Sequence, residues 1–129
     1  FDSTVLENVR LARPDADAAQ VEAALREAGA GGWLDGLPQG LDTPVGEHGR
    51  AVSGGERQRI ALARAILADR PVLLADEPAA HLDGATAESV TAGIMRPDPG
   101  RCVLLVSHRP QDEALADQVV RLAGGRRVG

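Results

Sequence analysis

The sequence predicts an α/β fold: a helical first part, then a part in which strand and helix alternate so that the strands pair in parallel. Three observations predict it. Helix-capping pairs recur along the first part of the chain, at Thr4/Glu7, Asp17/Gln20 and Ser53/Glu56. Two short apolar runs, Val72-Leu73-Leu74-Ala75 and Cys102-Val103-Leu104-Leu105-Val106, are bounded by Pro, Gly or charged residues, as buried parallel strands are. Between them lies a helical pattern long enough to cross over from one strand to the next. A chain of 129 residues fits one domain, or one domain with an attached subdomain. The pattern predicts a helical subdomain over 1–70 and a sheet-containing part over 71–129.

Element by element, residues 1–13 read as a short helix. Thr4 and Glu7 cap it, Val5, Leu6, Val9 and Leu11 make its apolar contacts, and Pro14 stops it. A second helix is expected over 18–28, with Val21, Ala24, Leu25 and Ala28 as its buried stripe and Gly29 at its end. Residues 31–37 read as a helical turn with Trp33, Leu34 and Leu37 packed inward. Residues 38–52, rich in Gly, Pro and Asp, read as an irregular loop. A helix follows from about Gly55 to Ala68, stopped by Asp69-Arg70-Pro71. Asp83-Gly84 opens the crossover helix, about Ala85 to Met95, which Pro97 and Pro99 terminate. Residues 110–116 are expected to be helical. Val119–Leu122 and Arg126–Val128 flank Gly124-Gly125, a terminal hairpin.

Composition narrows the function. A net charge of -5 gives no electrostatic reason to expect nucleic acid. The single cysteine, Cys102, excludes an internal disulfide and fits a reducing compartment. No apolar run approaches the ~20 residues that cross a bilayer, and no signal peptide is visible. All 14 basic residues are Arg, so no phosphate-loop lysine is present.

The chemistry concentrates in three places. Val52-Ser53-Gly54-Gly55-Glu56-Arg57-Gln58-Arg59 opens a helix behind bare glycine backbone, whose free N–H groups and positive dipole end suit a phosphate. The same residues also serve as an ordinary capped helix start. Asp76-Glu77-Pro78 follows directly on a strand, where ligands sit in α/β sheets. An Asp there can hold Mg²⁺ through water, and a neighbouring Glu can polarise an attacking water. The alternative is a solvated acidic turn. His108 ends the second strand and is expected on the same sheet edge, either contacting a phosphate or as a surface residue. Two strands that deliver an Asp-Glu pair and a His to one edge form a constellation.

The order V-S-G-G-E-R-Q-R, V-L-L-A-D-E-P, A-H-L-D, V-L-L-V-S-H-R resembles the second half of an ABC ATPase nucleotide-binding domain over essentially the whole chain. The resemblance implies a P-loop NTPase fold. The helical subdomain would then be followed by a partial RecA-like parallel sheet. It implies that Ser53, Gly54, Gly55 and Glu56 form the signature loop, which touches ATP held by the other subunit of a head-to-tail dimer. Asp76 resembles the Walker B aspartate on Mg²⁺, Glu77 the catalytic glutamate and His108 the switch histidine. Ala80, His81, Leu82 and Asp83 resemble the D-loop at the dimer interface. Phe1–Val9 is similar to the segment after the family's Q-loop, and Thr43–Gly49 to the loop by which exporter-type members contact their membrane domains. A capped helix and a Gly-rich linker are the plain alternatives for these two.

Several positions depart from the family pattern. Val52 stands where Leu is usual, Glu56 where Gln is common, and Ala80-His81 where Ser-Ala is more usual. The variant D-loop resembles that of bacterial thiol exporters of cytochrome bd assembly. Walker A, the adenine-stacking aromatic and the Q-loop glutamine lie upstream of the matching region in the family. The expectation is therefore a C-terminal fragment of the ATP-hydrolysing subunit of an exporter, inactive alone. In the intact protein it would use ATP and Mg²⁺ and pair with a second ATPase subunit and a transmembrane domain. It would sit on the cytoplasmic side of the membrane, in a bacterial cytoplasm. With its central strand missing, the fragment is expected to self-associate. The competing readings are a non-transport ABC ATPase of DNA repair or translation, and a non-catalytic dimerisation module.

Overall fold

Capping side chains set where the helices begin. In a computed structural model, which describes residues 2–47 and 49–128, Thr4 Oγ1 accepts the Glu7 N–H at the start of helix α1, Val5–Arg10. Asp17 and Gln20 exchange a full capping box at helix α2, Ala18–Glu27. Ser53 and Glu56 do the same for helix α4, Gly54–Ala68. Between them lies the short helix α3, Gly31–Asp35. Asp83 accepts the Thr86 N–H at the head of helix α5, Gly84–Ile94. Each cap satisfies one or two of the N–H groups that a helix start leaves unpaired.

The expected helix over 1–13 is shorter than its pattern. Thr4 takes an extended backbone as the cap, and Ser3–Thr4 becomes strand β1. β1 pairs antiparallel with strand β2, Pro44–Val45, in the register Ser3↔Val45 and Thr4↔Pro44. The stretch over 38–52 is therefore not wholly irregular, since it also contains a 3₁₀ turn at Gly40–Asp42. Gly49 closes this ribbon. A Cβ there would lie 2.5 Å from the Pro44 carbonyl carbon, so only glycine lets the two backbones meet. Leu11, expected to pack, is exposed, because α1 ends before it. Phe1 and His48, named in the segments above, lie outside the described residues.

α2 buries the expected stripe of Val21, Ala24, Leu25 and Ala28. It packs against α4, whose Ile60, Leu62, Ala63 and Leu67 are buried. Val5 and Val9 of α1, Leu34 and Leu37 join the same core, with Trp33 only partly buried against it. Leu73, Val90 and Ile94 extend that core past residue 70, so the apolar interior is continuous across the two parts.

Strands β3, Val72–Asp76, and β4, Cys102–Val106, pair in parallel, with Val72 opposite Cys102 and Asp76 opposite Val106. α5 is the crossover between them. The expectation of fully buried strands is corrected here. Burial alternates, with Leu73 and Ala75 inside while Leu74 is 71% and Leu104 60% exposed. The helices cover one face of this two-stranded sheet and leave the other bare, so the continuous apolar runs meet solvent on that side. After β4, Pro110–Leu115 is a 3₁₀ helix rather than the expected α-helix. Strands β5, Arg121–Ala123, and β6, Arg126–Val128, form the hairpin, and both Gly124 and Gly125 take the positive φ that its tight turn demands.

Candidate functional site

The C-terminal ends of β3 and β4 bring Glu77 and His108 together. Val106 accepts the Glu77 N–H at 2.9 Å, which continues the parallel pairing one residue past β3. Glu77 then turns with φ 46°, a left-handed conformation that a residue with a side chain seldom adopts. That turn carries its carboxylate to His108, with Oε1 at 2.8 Å from Nδ1. A carboxylate can only accept, so the imidazole carries a proton on Nδ1 and presents Nε2 outward. The Glu77 side chain is 33% exposed and that of His108 81%, so this is a solvated contact that an incoming ligand can reshape rather than a buried structural pair.

Asp76 ends β3 with its side chain exposed. Among the described residues no group of three or more His, Cys, Asp or Glu could hold a metal by itself. A single carboxylate beyond a strand end nevertheless suits Mg²⁺, which keeps several waters and binds through one or two carboxylates together with phosphate oxygens.

The start of α4 is the second cluster. Ser53 and Glu56 cap each other: Ser53 Oγ accepts the Glu56 N–H at 3.2 Å and Glu56 Oε2 accepts the Ser53 N–H at 2.7 Å, which leaves the Ser53 O–H able to donate to a ligand. Gly54 and Gly55 occupy the first two helical positions, whose N–H groups have no acceptor within the helix. A Cβ at Gly54 would meet nothing nearer than a guanidinium nitrogen at 4.0 Å, so this backbone is open to a ligand. Among the described residues no hydrogen bond joins the Ser53–Glu56 side chains to Asp76, Glu77 or His108. The link between α4 and the strand end is Gln58, whose Nε2–H donates to the Glu77 carbonyl at 3.0 Å.

The third cluster is Ala80–Asp83. His81 has φ 64° and is exposed, which places the side chain that departs from the family pattern on the surface. Asp83 caps α5, and its hydrogen bonds from Thr86 hold its carboxyl below the usual carboxylate range. His81, Leu82, Asp83 and Thr86 line a cleft of about 570 Å³ together with Trp33 and Arg59. Trp33 Nε1 and Arg59 Nε are buried there with no hydrogen-bond partner among the described residues.

Sequence reasoning missed Gln58, the cleft, and Arg64, whose guanidinium donates to both the backbone and the side chain of Asn8. The Gln58 and Arg64 contacts link residues 19 and 56 positions apart, and no local pattern signals them.

Comparison with known proteins agrees with these motifs. The family model described as ABC transporter matches residues 2–80. An ATP-dependent lipid A-core flippase of Neisseria gonorrhoeae is 42% identical over 126 residues, which are 98% of this chain and 20% of the flippase. The glutathione/L-cysteine transport system ATP-binding/permease protein CydC of Bacillus subtilis is 41% identical over 98% of this chain and 22% of its own. Among solved structures, a bacterial Atm1-family ABC exporter with ATP bound superposes with a TM-score of 0.82 at 35% identity, over all of this chain and 23% of the exporter. The chain thus spans about a fifth of the length of the relatives it matches. Relatives of nearly equal identity are named for different cargoes, so similarity singles out no cargo. With the model match covering more than half of it, this chain belongs to the ABC transporter family, as part of its ATP-binding domain.

Proposed function

We propose that this chain supplies the signature and catalytic-carboxylate portions of the ATPase that drives export in a larger membrane protein. The observation that carries the reading is the Glu77–His108 pair at the adjoining ends of two parallel strands, on a chain that also has an open glycine helix start. In this reading Glu77 orients the attacking water and takes up its proton, a role that typically contributes 10²–10⁴-fold. His108 holds the carboxylate's aim through its Nδ1–H, and it donates to the terminal phosphate only when Nε2 carries a proton as well. The Gly54 and Gly55 N–H groups bind phosphate oxygens of the nucleotide held by a second subunit, where the helix dipole favours negative charge.

Asp76 would hold Mg²⁺ through water. When bound, that ion neutralises charge on the phosphate oxygens. The chain has no lysine, so the lysine that cradles the β- and γ-phosphates in P-loop enzymes has to come from elsewhere in the protein. Ala80–Asp83 and the cleft beside it would face the second ATPase subunit, and Thr43–Gly49 a membrane domain. In this reading the membrane contact is made through that domain, on the cytoplasmic side; no described helix is itself long and apolar enough to cross a bilayer.

The test is an ATPase assay on the full-length protein, on its Ser53→Arg variant and on the isolated 129-residue chain. We expect activity only in the unmodified full-length protein, because the arginine fills the helix start and the isolated chain lacks the phosphate-binding lysine. Hydrolysis by the isolated chain that disappears in Glu77→Gln would contradict the reading.

A further inference from the structure

We propose that Gln58 is a positioning residue that transmits the placement of α4 to Glu77. This rests on the reading of Glu77 as the water-orienting carboxylate.

Glu77 sits in a left-handed conformation that persists only where its surroundings hold it. Three hydrogen bonds do so. Its N–H donates to Val106, and its carbonyl accepts from the Ala80 N–H at 3.0 Å and from Gln58 Nε2 at 3.0 Å. The first two belong to the sheet and to the local turn. The third comes from a different element, and it is partly buried, so water does not readily replace it. Because the Glu77 carbonyl can only accept, Gln58 must present its amide N–H there.

Gln58 stands five residues after Ser53, about 7.5 Å along a helix axis. The helix start and the amide therefore move as one rigid piece. A shift of α4 pulls on the Glu77 carbonyl, and the carboxylate on the same residue swings against its contact with His108. Occupation of the helix start by phosphate thus sets the aim of Glu77. That couples the half-site this chain offers to a second subunit with the carboxylate it uses at its own nucleotide. Misplacement of a reacting group by about 1 Å can cost about 10²-fold in rate, so one amide is enough to matter.

The experiment measures ATP hydrolysis by the full-length protein carrying Gln58→Met, which keeps length and loses the donor, or Gln58→Lys, which keeps a donor. Each is also combined with Glu77→Gln, with residual hydrolysis followed by radiolabelled ATP. Gln58→Met is expected to lower kcat about 10- to 100-fold while KM for ATP stays within about twofold. Gln58→Lys recovers most of the loss, and Gln58→Met has no further effect in the Glu77→Gln background. Unchanged kcat in Gln58→Met overturns the inference. So does a loss of equal size in the Glu77→Gln background, or one accompanied by a lower Tm and a raised KM, because a purely structural role produces those. If Glu77→Gln alone leaves hydrolysis intact, the functional reading fails first and takes this inference with it.

Discussion

Arg64 reaches from the middle of α4 to Asn8 of α1, donating from Nε to the Asn8 carbonyl at 2.6 Å and from Nη2 to its side-chain oxygen at 3.0 Å. Asn8 is buried, so these charge-assisted bonds act out of reach of most water. Arg64→Ala is expected to destabilise the fold by about 1–3 kcal/mol, read as a lower urea midpoint. Arg64→Lys recovers part of the loss, because an ammonium cannot span both acceptors with a planar fork. Titration gives a second expectation at this scale. Arg26 beside Asp35, Arg121 beside Glu113 and Thr86 beside Asp83 hold those three carboxyls below their ordinary values. The folded state therefore binds fewer protons than the unfolded chain as pH falls toward the carboxylate range. Their contribution is complete above a pH of about 5 and is lost progressively through about pH 4 and below. All three groups are solvent-exposed, so the effect is small. Asp35→Asn is expected to flatten the acid limb of a Tm-against-pH curve and leave its neutral plateau nearly unchanged.

Among the elements, the turn after α2 also depends on a glycine. Gly29 has φ 75°, and a Cβ there would lie 2.8 Å from Val90 Cγ2 of α5. Gly29→Ala combines left-handed strain with overpacking and is expected to destabilise by about 1–3 kcal/mol. Gly40→Ala shares the positive φ but meets open space, and is expected to cost less in the same unfolding series. The elements also show what the residues made legible. The caps formed because cap and partner lie three residues apart, although at Thr4 only half of the expected box closed, with the Glu7 carboxylate turned to Arg10; the α2 stripe was readable because one face of one helix repeats locally. The β1–β2 ribbon was not, since two-residue strands carry no period and their partners are some 40 positions apart. At the site, the strand ends announced Asp76, Glu77 and His108. The amide of Gln58 and the left-handed turn of Glu77 left no local mark, because both depend on how α4 docks beside β3.

The whole molecule presents an imbalance that its elements do not. Helices cover one face of the β3–β4 sheet, while Val72, Leu74, Leu104 and Val106 lie exposed on the other. Contiguous apolar surface and unpaired strand edges promote association. The isolated chain is expected to run above monomer mass in light scattering at high concentration, and paired Leu74→Glu and Leu104→Glu substitutions to shift it toward monomer. A monomer at all concentrations would show that this face is tolerated bare.

The central claim, that this chain carries the carboxylate on which ATP hydrolysis turns, is tested most directly by Glu77→Gln in the full-length protein. The amide keeps the shape and the His108 contact distance but cannot take up a proton at pH 7. Steady-state hydrolysis is predicted to fall by about 10²–10⁴-fold while nucleotide binding is retained. A Glu77→Gln protein that hydrolyses ATP within about twofold of the unmodified rate would contradict the claim.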